Sequence, residues 1–466
     1  MTLGTVREWV GIAVGVMLAA GVAEAQSSRA DLEKIIRRTV LPNGLEVIVV
    51  ENHGVPIATI EIDVKNGAFT QTPEFAGLAH LYEHMFFKAS KDYPEPDAFI
   101  DRASELGAVF NATTQEERVN YYMTLPSDSL APGIRFMAST LRQPLFLPEE
   151  LAREKEVVLG EYDRAQSSPG FEFQNDMTRK LYPGHFSRKN TIGDREVIRT
   201  VTPEKMRAIQ QRYYVPNNTA LIVTGDVNPD SVFRWARASL ADWPRGEDPF
   251  KVDPIPAIPD LTGNGAVISE APVSAVTVLI QWQGPSANKD RDATYAADVF
   301  SDALNTPASR FQQRLVDSGL WQGVGVNYYT LANKGPITIS GQTTPENFRR
   351  ALAAMMDEIA KLDDPGYFTA EELVAVKAQR GTESAFGIER TSGLTHTVGF
   401  WWSVLDLDYF IGYVDNMARQ TPENLRGYAQ KYIVGKPHVT GVLLSPQARR
   451  TLGLTEQELT RTGVTP

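Results

Sequence analysis

Apolar and polar positions recur in short strand-length and helix-length blocks, and the blocks repeat. Ile57-Ala-Thr-Ile-Glu-Ile-Asp-Val64 partly alternates and ends at Gly67, and Ala275-Val-Thr-Val-Leu-Ile-Gln-Trp282 ends at Gly284. Both read as strands, and each precedes a helix-like segment. Asn43-Gly44, between Val40-Leu41 and Leu45–Val50, is a hairpin signal. Thr202-Pro-Glu-Lys-Met-Arg-Ala-Ile-Gln-Gln-Arg-Tyr-Tyr-Val215 aligns with Thr421-Pro-Glu-Asn-Leu-Arg-Gly-Tyr-Ala-Gln-Lys-Tyr-Ile-Val434 at an offset of 219, with seven identities in fourteen positions. Each copy opens as a helix should, with a Thr cap, Pro at the first helical position and an early acid. Each leads into a strand, Ala220–Thr224 and Val439–Leu444. Strands and helices mix without regular βαβ alternation. The pattern predicts an α+β chain of two homologous domains, each a mainly antiparallel sheet covered by helices.

Prolines at 244, 249, 254, 256 and 259 mark the seam, where a helix or strand interior is not expected to persist. The expected domains are 26–243 and 265–460, joined by a linker at 244–264. At 466 residues the chain exceeds a single small domain. At the N-terminus, Arg7 precedes an apolar stretch from Trp9 to about Ala20, and Ala23-Glu24-Ala25 is a small-x-small cleavage pattern. Residues 1–25 therefore read as a signal peptide, and export to a bacterial periplasm is expected. The stretch falls short of the ~20 residues that a spanning helix needs, and no later one is long enough, so no stable membrane insertion is expected after cleavage.

A net charge of −11 opposes sequence-independent binding to nucleic acid. With no cysteine in the chain, disulfides, thiolate ligands and a cysteine nucleophile are excluded, and any metal must be held by His, Asp and Glu.

Such residues cluster in His80-Leu-Tyr-Glu83-His84. Thr72 and Pro73 read as the start of a helix running to about Phe87. At ~100° per residue, Glu83 lies about −60° and His84 about +40° from His80, so all three share one face. Two imidazoles one turn apart can ligate one zinc ion. A carboxylate between them can take a proton from a water at the metal. The order H-x-x-E-H is a zinc-peptidase signature. A third ligand is still required, and no further His is near in sequence. In the helix-like run Leu151–Asp163, Glu154 and Glu161 are seven residues apart and share a face. One could bind metal while the other orients a histidine.

With these residues in place, the chain after residue 25 resembles, over almost its whole length, the inverted zinc metallopeptidases of pitrilysin, insulysin and the mitochondrial processing peptidase. Further matching stretches are Gly107–Thr113, Val119–Tyr122, Tyr182-Pro-Gly-His185, Ile192-Gly193 and Tyr213–Asn218. The resemblance implies a clamshell of two halves with one zinc ion per chain. It places the third ligand 77 residues after the second His, at Glu161, with Glu154 behind the metal ligands. It implies that Glu83 is the catalytic base and that a peptide substrate adds as a strand along Asn111, Ala112 and Thr113. Val109 and Phe110 read as core.

Single-chain members of that family also carry an Arg and, seven residues later, a Tyr that contact substrate and oxyanion. The matching region, Ser309–Gln322, yields no such pair: Trp321 stands seven after Arg314. The expectation is a zinc-bearing subunit whose homologous partner supplies the Arg/Tyr pair, together forming an endopeptidase for peptides or short unfolded segments. The alternative is a non-catalytic peptide-binding or scaffold subunit, against which the retained ligands and Glu83 argue.

Overall fold

The computed structural model describes residues 29–95 and 97–461, with backbone only at 384–389. The leader read from the sequence lies outside these residues. No helix among the described residues is long and apolar enough to cross a membrane.

Among the described residues, eleven strands form two sheets. In the first half these are β1 (Ile36–Val40), β2 (Glu46–Glu51), β3 (Ile57–Val64), β4 (Val109–Thr114), β5 (Val119–Pro126) and β6 (Thr219–Gly225), in the order β1-β2-β6-β3-β5-β4. The second half contributes β7 (Gly265–Glu270), β8 (Val276–Gln283), β9 (Gly323–Tyr328), β10 (Pro336–Thr343) and β11 (Val439–Leu444), in the order β7-β11-β8-β10-β9. Pairing is antiparallel except for β2 with β6 and β7 with β11. Those two parallel pairs share one register at the offset of 219, since Glu46 faces Ala220 and Gly265 faces Val439. The turn between β1 and β2 is closed by Gly44 N–H on Leu41 O at 2.8 Å, with Gly44 at φ +94°. Between the sheets, the proline-rich segment contains one helical turn, Pro249–Val252, with Pro at its first position and Asp248 accepting Phe250 N–H.

The helices that position the site are α1 (Leu78–Phe86), α2 (Leu130–Arg142), α3 (Pro148–Gln166), α4 (Phe171–Leu181) and α5 (Pro203–Tyr213). Their second-half counterparts include α6 (Arg291–Asn305), α7 (Ala370–Glu389), α8 (Thr391–Val404) and α9 (Pro422–Tyr432). The strand patterns show why the halves stay together. Val47 and Val49 of β2 enter a core with α1, α2 and α3, whereas Ile48 and Val50 point the other way into a cluster with Leu394, Val398 and Trp402 of α8. On the second sheet, Val267, Leu279, Val439 and Leu443 pack against Phe173, Met177 and Leu181 of α4. Each half thus lends the other the helix that covers the outer face of its sheet. Two glycines permit the close approach: a Cβ on Gly441 would lie 2.3 Å from Met177 Sδ, and one on Gly399 2.3 Å from Asp63 Oδ2.

The two crossings differ in chemistry. Thr59, Glu61 and Asp63 of β3 face α8 from a fully buried row. Arg118 reaches Glu61 and Asp63 at 3.6 and 3.5 Å and donates to His396 O at 2.9 Å, while His396 Nδ1 bonds Glu61. The β4–β5 turn also grips the second half, through Tyr329 Oη on Glu116 at 2.7 Å and Ala332 N–H on Glu117 at 2.6 Å.

Candidate metal centre

The motif helix begins later than the sequence pattern predicts. Pro73–Phe75 forms a separate 3-10 turn, and Gly77, at φ +94°, intervenes before α1 starts at Leu78. The cause is a distant contact. A Cβ on Gly193 would lie 2.1 Å from Gly77 Cα, so the two backbones touch, and Asp194 N–H donates to Ala76 O at 3.1 Å. From Leu78 onward the helix buries Leu78, Leu81, Tyr82, Met85 and Phe86 in the core. His80, Glu83 and His84 remain half-buried on the opposite face, together with Phe87 and Lys88 just beyond.

Helix α3 runs alongside α1, anchored by Leu151, Val158 and Leu159 in the same core. It presents three acids to α1. Glu150 accepts Ala89 N–H, at 3.2 Å for the nearer oxygen. Glu154 Oε2 lies 3.1 Å from His84 Nδ1, and its Oε1 lies 2.7 Å from Lys88 Nζ. One oxygen of Glu161 stands 3.5 Å from His80 Nε2 and 3.6 Å from His84 Nε2. Glu156 and Asp163 are exposed on other faces, Asp163 pairing with Arg195.

Donor atoms of His80, His84 and Glu161 lie within 4.8 Å of one another, the one such cluster of potential metal ligands among the described residues. Ligand atoms around a tetrahedral zinc, at ~2.0–2.1 Å from the ion, lie roughly 3.4 Å apart, so the Glu161 distances fit the edges of such a site. The electrostatics fit as well. Burial, then the charge of His84, brings the His80 imidazole down to about 4, which leaves it neutral and able to donate a lone pair. Burial pulls His84 down too, but the hydrogen bond to Glu154 and the charges of Glu161 and Glu83 outweigh it and raise the group. Because a carboxylate only accepts, His84 Nδ1 carries the proton toward Glu154 and Nε2 faces Glu161.

Glu83 is held from the sheet. Thr114 Oγ1 of β4 donates to Glu83 Oε2 at 2.6 Å. Burial raises the Glu83 carboxyl against that hydrogen bond. Asn111, Ala112 and Thr113 lie on the same strand, at the open edge of the first sheet, with β4 packed along α1. Ala112 is buried, whereas Asn111 and Thr113 are exposed. Asn111 Oδ1 accepts Ala112 N–H at 2.9 Å, and Thr113 Oγ1 donates to Asn120 Oδ1. Val109 is 75% exposed rather than core, because it starts the edge strand where only β5 flanks it. Phe110, partly buried, packs against Phe87 and Phe99.

Thr114, Lys88 and Glu150 are missed by motif reasoning. Parity along β4 could have found Thr114, which shares the α1 side with Ala112. Helical spacing could have found Lys88, four residues after His84.

The arginines, Trp321 and the tyrosines of residues 310–329 have partners away from the metal centre. Arg310 and Arg314 both pair with buried Glu358, at 3.4 and 3.6 Å. Trp321 is buried with its indole N–H on Ala351 O at 3.1 Å. The hydroxyls of Tyr328 and Tyr329 donate to Pro285 O and Glu116.

Comparison with known proteins accounts for the arrangement. Residues 46–193 match the family model described as Insulinase (Peptidase family M16), and residues 200–380 match the Peptidase M16 inactive domain. The chain belongs to peptidase family M16. A zinc protease of Rickettsia felis, itself uncharacterized, is 24% identical over 363 residues, 77% of this chain and 85% of the relative. The mitochondrial-processing peptidase subunit beta of Dictyostelium discoideum is 24% identical over 204 residues, 44% of this chain and 43% of that one. Among solved structures, a protease from Helicobacter pylori superposes with TM-score 0.79 at 21% identity, covering 88% of this chain and 99% of that chain. The periplasmic protease PqqL from Escherichia coli matches with TM-score 0.72 at 19% identity, over 93% of this chain but 51% of its own. This M16 chain shares their two-sheet α+β clamshell architecture.

Proposed function

We propose that this chain is the zinc-bearing subunit of an exported endopeptidase that cleaves peptides or short unfolded segments. The observation that carries the reading is the convergence of His80, His84 and Glu161 with Glu83 held beside them by Thr114. In this reading His80, His84 and Glu161 hold the ion, and Glu154 orients His84. A zinc ion bound there would polarise the scissile carbonyl and acidify a water molecule. Glu83 performs the proton work: it takes a proton from the water as the oxygen attacks the carbonyl carbon, and delivers it to the amine nitrogen as the C–N bond breaks. Its raised carboxyl suits the first transfer, since the carboxylate of a weaker acid takes a proton more readily from water. The substrate adds beside β4, exchanging the Asn111 bond to Ala112 N–H for pairing with its own backbone, which suits many sequences.

The two-subunit part rests on the engaged residues of 309–329 and on the match to about half of the PqqL chain. The first domain is taken as 26–243, the linker as 244–264 and the second domain as 265–460. Residues 1–25 act as the export signal, consistent with the periplasmic location named for PqqL. The test is zinc content together with turnover of a quenched, unstructured peptide by the purified chain, alone and with a homologous chain carrying Arg and Tyr seven apart. One zinc per chain is expected, with cleavage by the chain alone about 10²–10³-fold weaker than by the pair, the scale of a lost oxyanion donor. Robust cleavage by the chain alone would remove the partner from the reading, and absence of zinc would remove the metallopeptidase.

A further inference from the structure

The two imidazoles of the metal centre are not supported alike. His80 Nδ1 is buried with no hydrogen-bond partner among the described residues, while His84 Nδ1 meets Glu154. His84 is thus the ligand whose ring is oriented from behind, and what fixes Glu154 fixes His84. Glu154 is 8% exposed, and its two oxygens have different partners: Oε2 faces His84 Nδ1 at 3.1 Å and Oε1 faces Lys88 Nζ at 2.7 Å. Lys88 lies just past the end of α1, four residues after His84, and its side chain, like that of His84, reaches Glu154 of α3. Its backbone is pinned on both sides. Lys88 N–H donates to Met85 O at 3.2 Å, and Ala89 N–H donates to Glu150. The ammonium therefore reaches Glu154 from a fixed point.

We propose that Lys88 is a positioning residue of the metal centre: by holding one oxygen of Glu154 it fixes the other on His84 Nδ1, and so presents His84 Nε2 to the ion beside Glu161. The inference rests on the metal-binding reading above. A carboxylate anchored at one oxygen only can rotate about its terminal torsion, which is broad and soft. With Lys88 on the second oxygen, rotation breaks a charge-assisted hydrogen bond in a largely desolvated place. His84 would otherwise sample the tautomer with its proton on Nε2, which cannot ligate. The lysine contributes to affinity without touching the ion.

The experiment measures zinc affinity of the full-length apo chain by competition with a chromophoric chelator. Lys88→Met keeps the aliphatic stem and removes the charge; Lys88→Arg restores it; Glu154→Gln and the Lys88→Met/Glu154→Gln double complete the cycle. Lys88→Met should weaken zinc by about 10-fold, the lower end of the ~10–100-fold losses that follow removal of a partner behind a metal ligand. Lys88→Arg should recover most of that, and the double variant should bind no more weakly than Glu154→Gln alone. In the apo protein, nitrogen NMR of the histidines should show His84 protonated at Nδ1 in the wild type and a mixture of tautomers in Lys88→Met, a signature that a merely stabilising lysine would not move. Wild-type affinity in Lys88→Met, or strictly additive losses in the double variant, would overturn the proposal. If Lys88→Met fails to fold, Lys88→Gln, which keeps a polar side chain, is read by the same two measurements. A wild-type chain that binds no zinc overturns the metal reading instead, and Lys88 has then nothing to position.

Discussion

Helices α1 and α6 occupy equivalent places in the two halves. Each follows the strand next to the parallel pair, and α6 packs against β9, α9 and α7 as α1 packs against β4, α5 and α3. At the offset of 219, Leu81 and Met85 correspond to Phe300 and Leu304, large core residues in both. The other face has diverged: His80, Glu83 and His84 correspond to Val299, Asp302 and Ala303. Arg380, 219 residues after Glu161, makes a two-pronged pair with Asp302 at 2.7 Å on both bonds. Ala303 and Val376 line an apolar cavity with Phe311 and Phe368. One scaffold thus carries converging donor atoms in one half and a closed ion pair beside apolar packing in the other. The fold alone does not make a metal site; the outer face of one helix and the acids opposite it do.

The sharpest way to test that contrast is to remove the donors. His80→Ala, His84→Ala or Glu161→Ala should abolish stoichiometric zinc by metal analysis, whereas Asp302→Ala should leave it intact. Zinc retained in Glu161→Ala would move the ligand role to another acid such as Glu154. Next in size, Glu83→Gln should keep zinc and peptide binding but lower turnover by roughly 10²–10⁴-fold, the range for removal of a general base. Turnover at the wild-type rate would take Glu83 out of the chemistry.

Much of this contrast is legible in the sequence because helical spacing acts locally. His80, Glu83 and His84 share a face whatever surrounds them, and the repeat survives in cap, proline and aromatic positions. What escapes reading depends on partners far along the chain. The start of α1 is set by Gly193, which forces the bend at Gly77. Thr114 becomes a partner of Glu83 only once β4 lies along α1, and Val109 is exposed only because its strand is last in the sheet. The four-residue spacing of Phe173, Met177 and Leu181 in α4 and of Leu394, Val398 and Trp402 in α8 is compatible with a buried face, but does not show that each is buried on the other half.

A smaller effect is expected from Arg380→Met. It leaves the half-buried Asp302 carboxylate without its pair and should cost about 1–3 kcal/mol of stability, between the exposed and buried limits for ion pairs, with zinc content unchanged. Denaturant melts of the zinc-loaded protein read both at once, and a parallel loss of zinc would show that the halves are coupled through α6 and α7.

The smallest effect separates the two helix crossings by pH. Burial raises the Glu61 carboxyl from 4.5 to about 7, against the opposing charge of Arg118, in a pair with Asp63 whose carboxyl is also raised by burial. A raised acid contributes stability that is fully present below its unfolded value and is lost as pH climbs through the folded one. Between pH 5 and pH 8 the wild type should therefore lose a few degrees of Tm relative to Glu61→Gln. A variant in the apolar crossing, Met177→Leu, should track the wild type across that range. A constant gap between wild type and Glu61→Gln would show that Glu61 titrates alike in folded and unfolded chains.

The exchange of α4 and α8 also bears on how such a duplicated chain can be divided. Cutting it at the proline-rich seam would strip each sheet of its outer cover and expose a contiguous greasy surface, Ile48, Val50, Ile222 and their neighbours on one piece, Val267, Leu279 and Leu443 on the other. Each such side chain taken from water is worth about 1.5–3 kcal/mol, so neither piece is expected to be autonomous. The repeat that arithmetic divides at an offset of 219 is, for folding, indivisible: the smallest unit that can stand by itself is the pair.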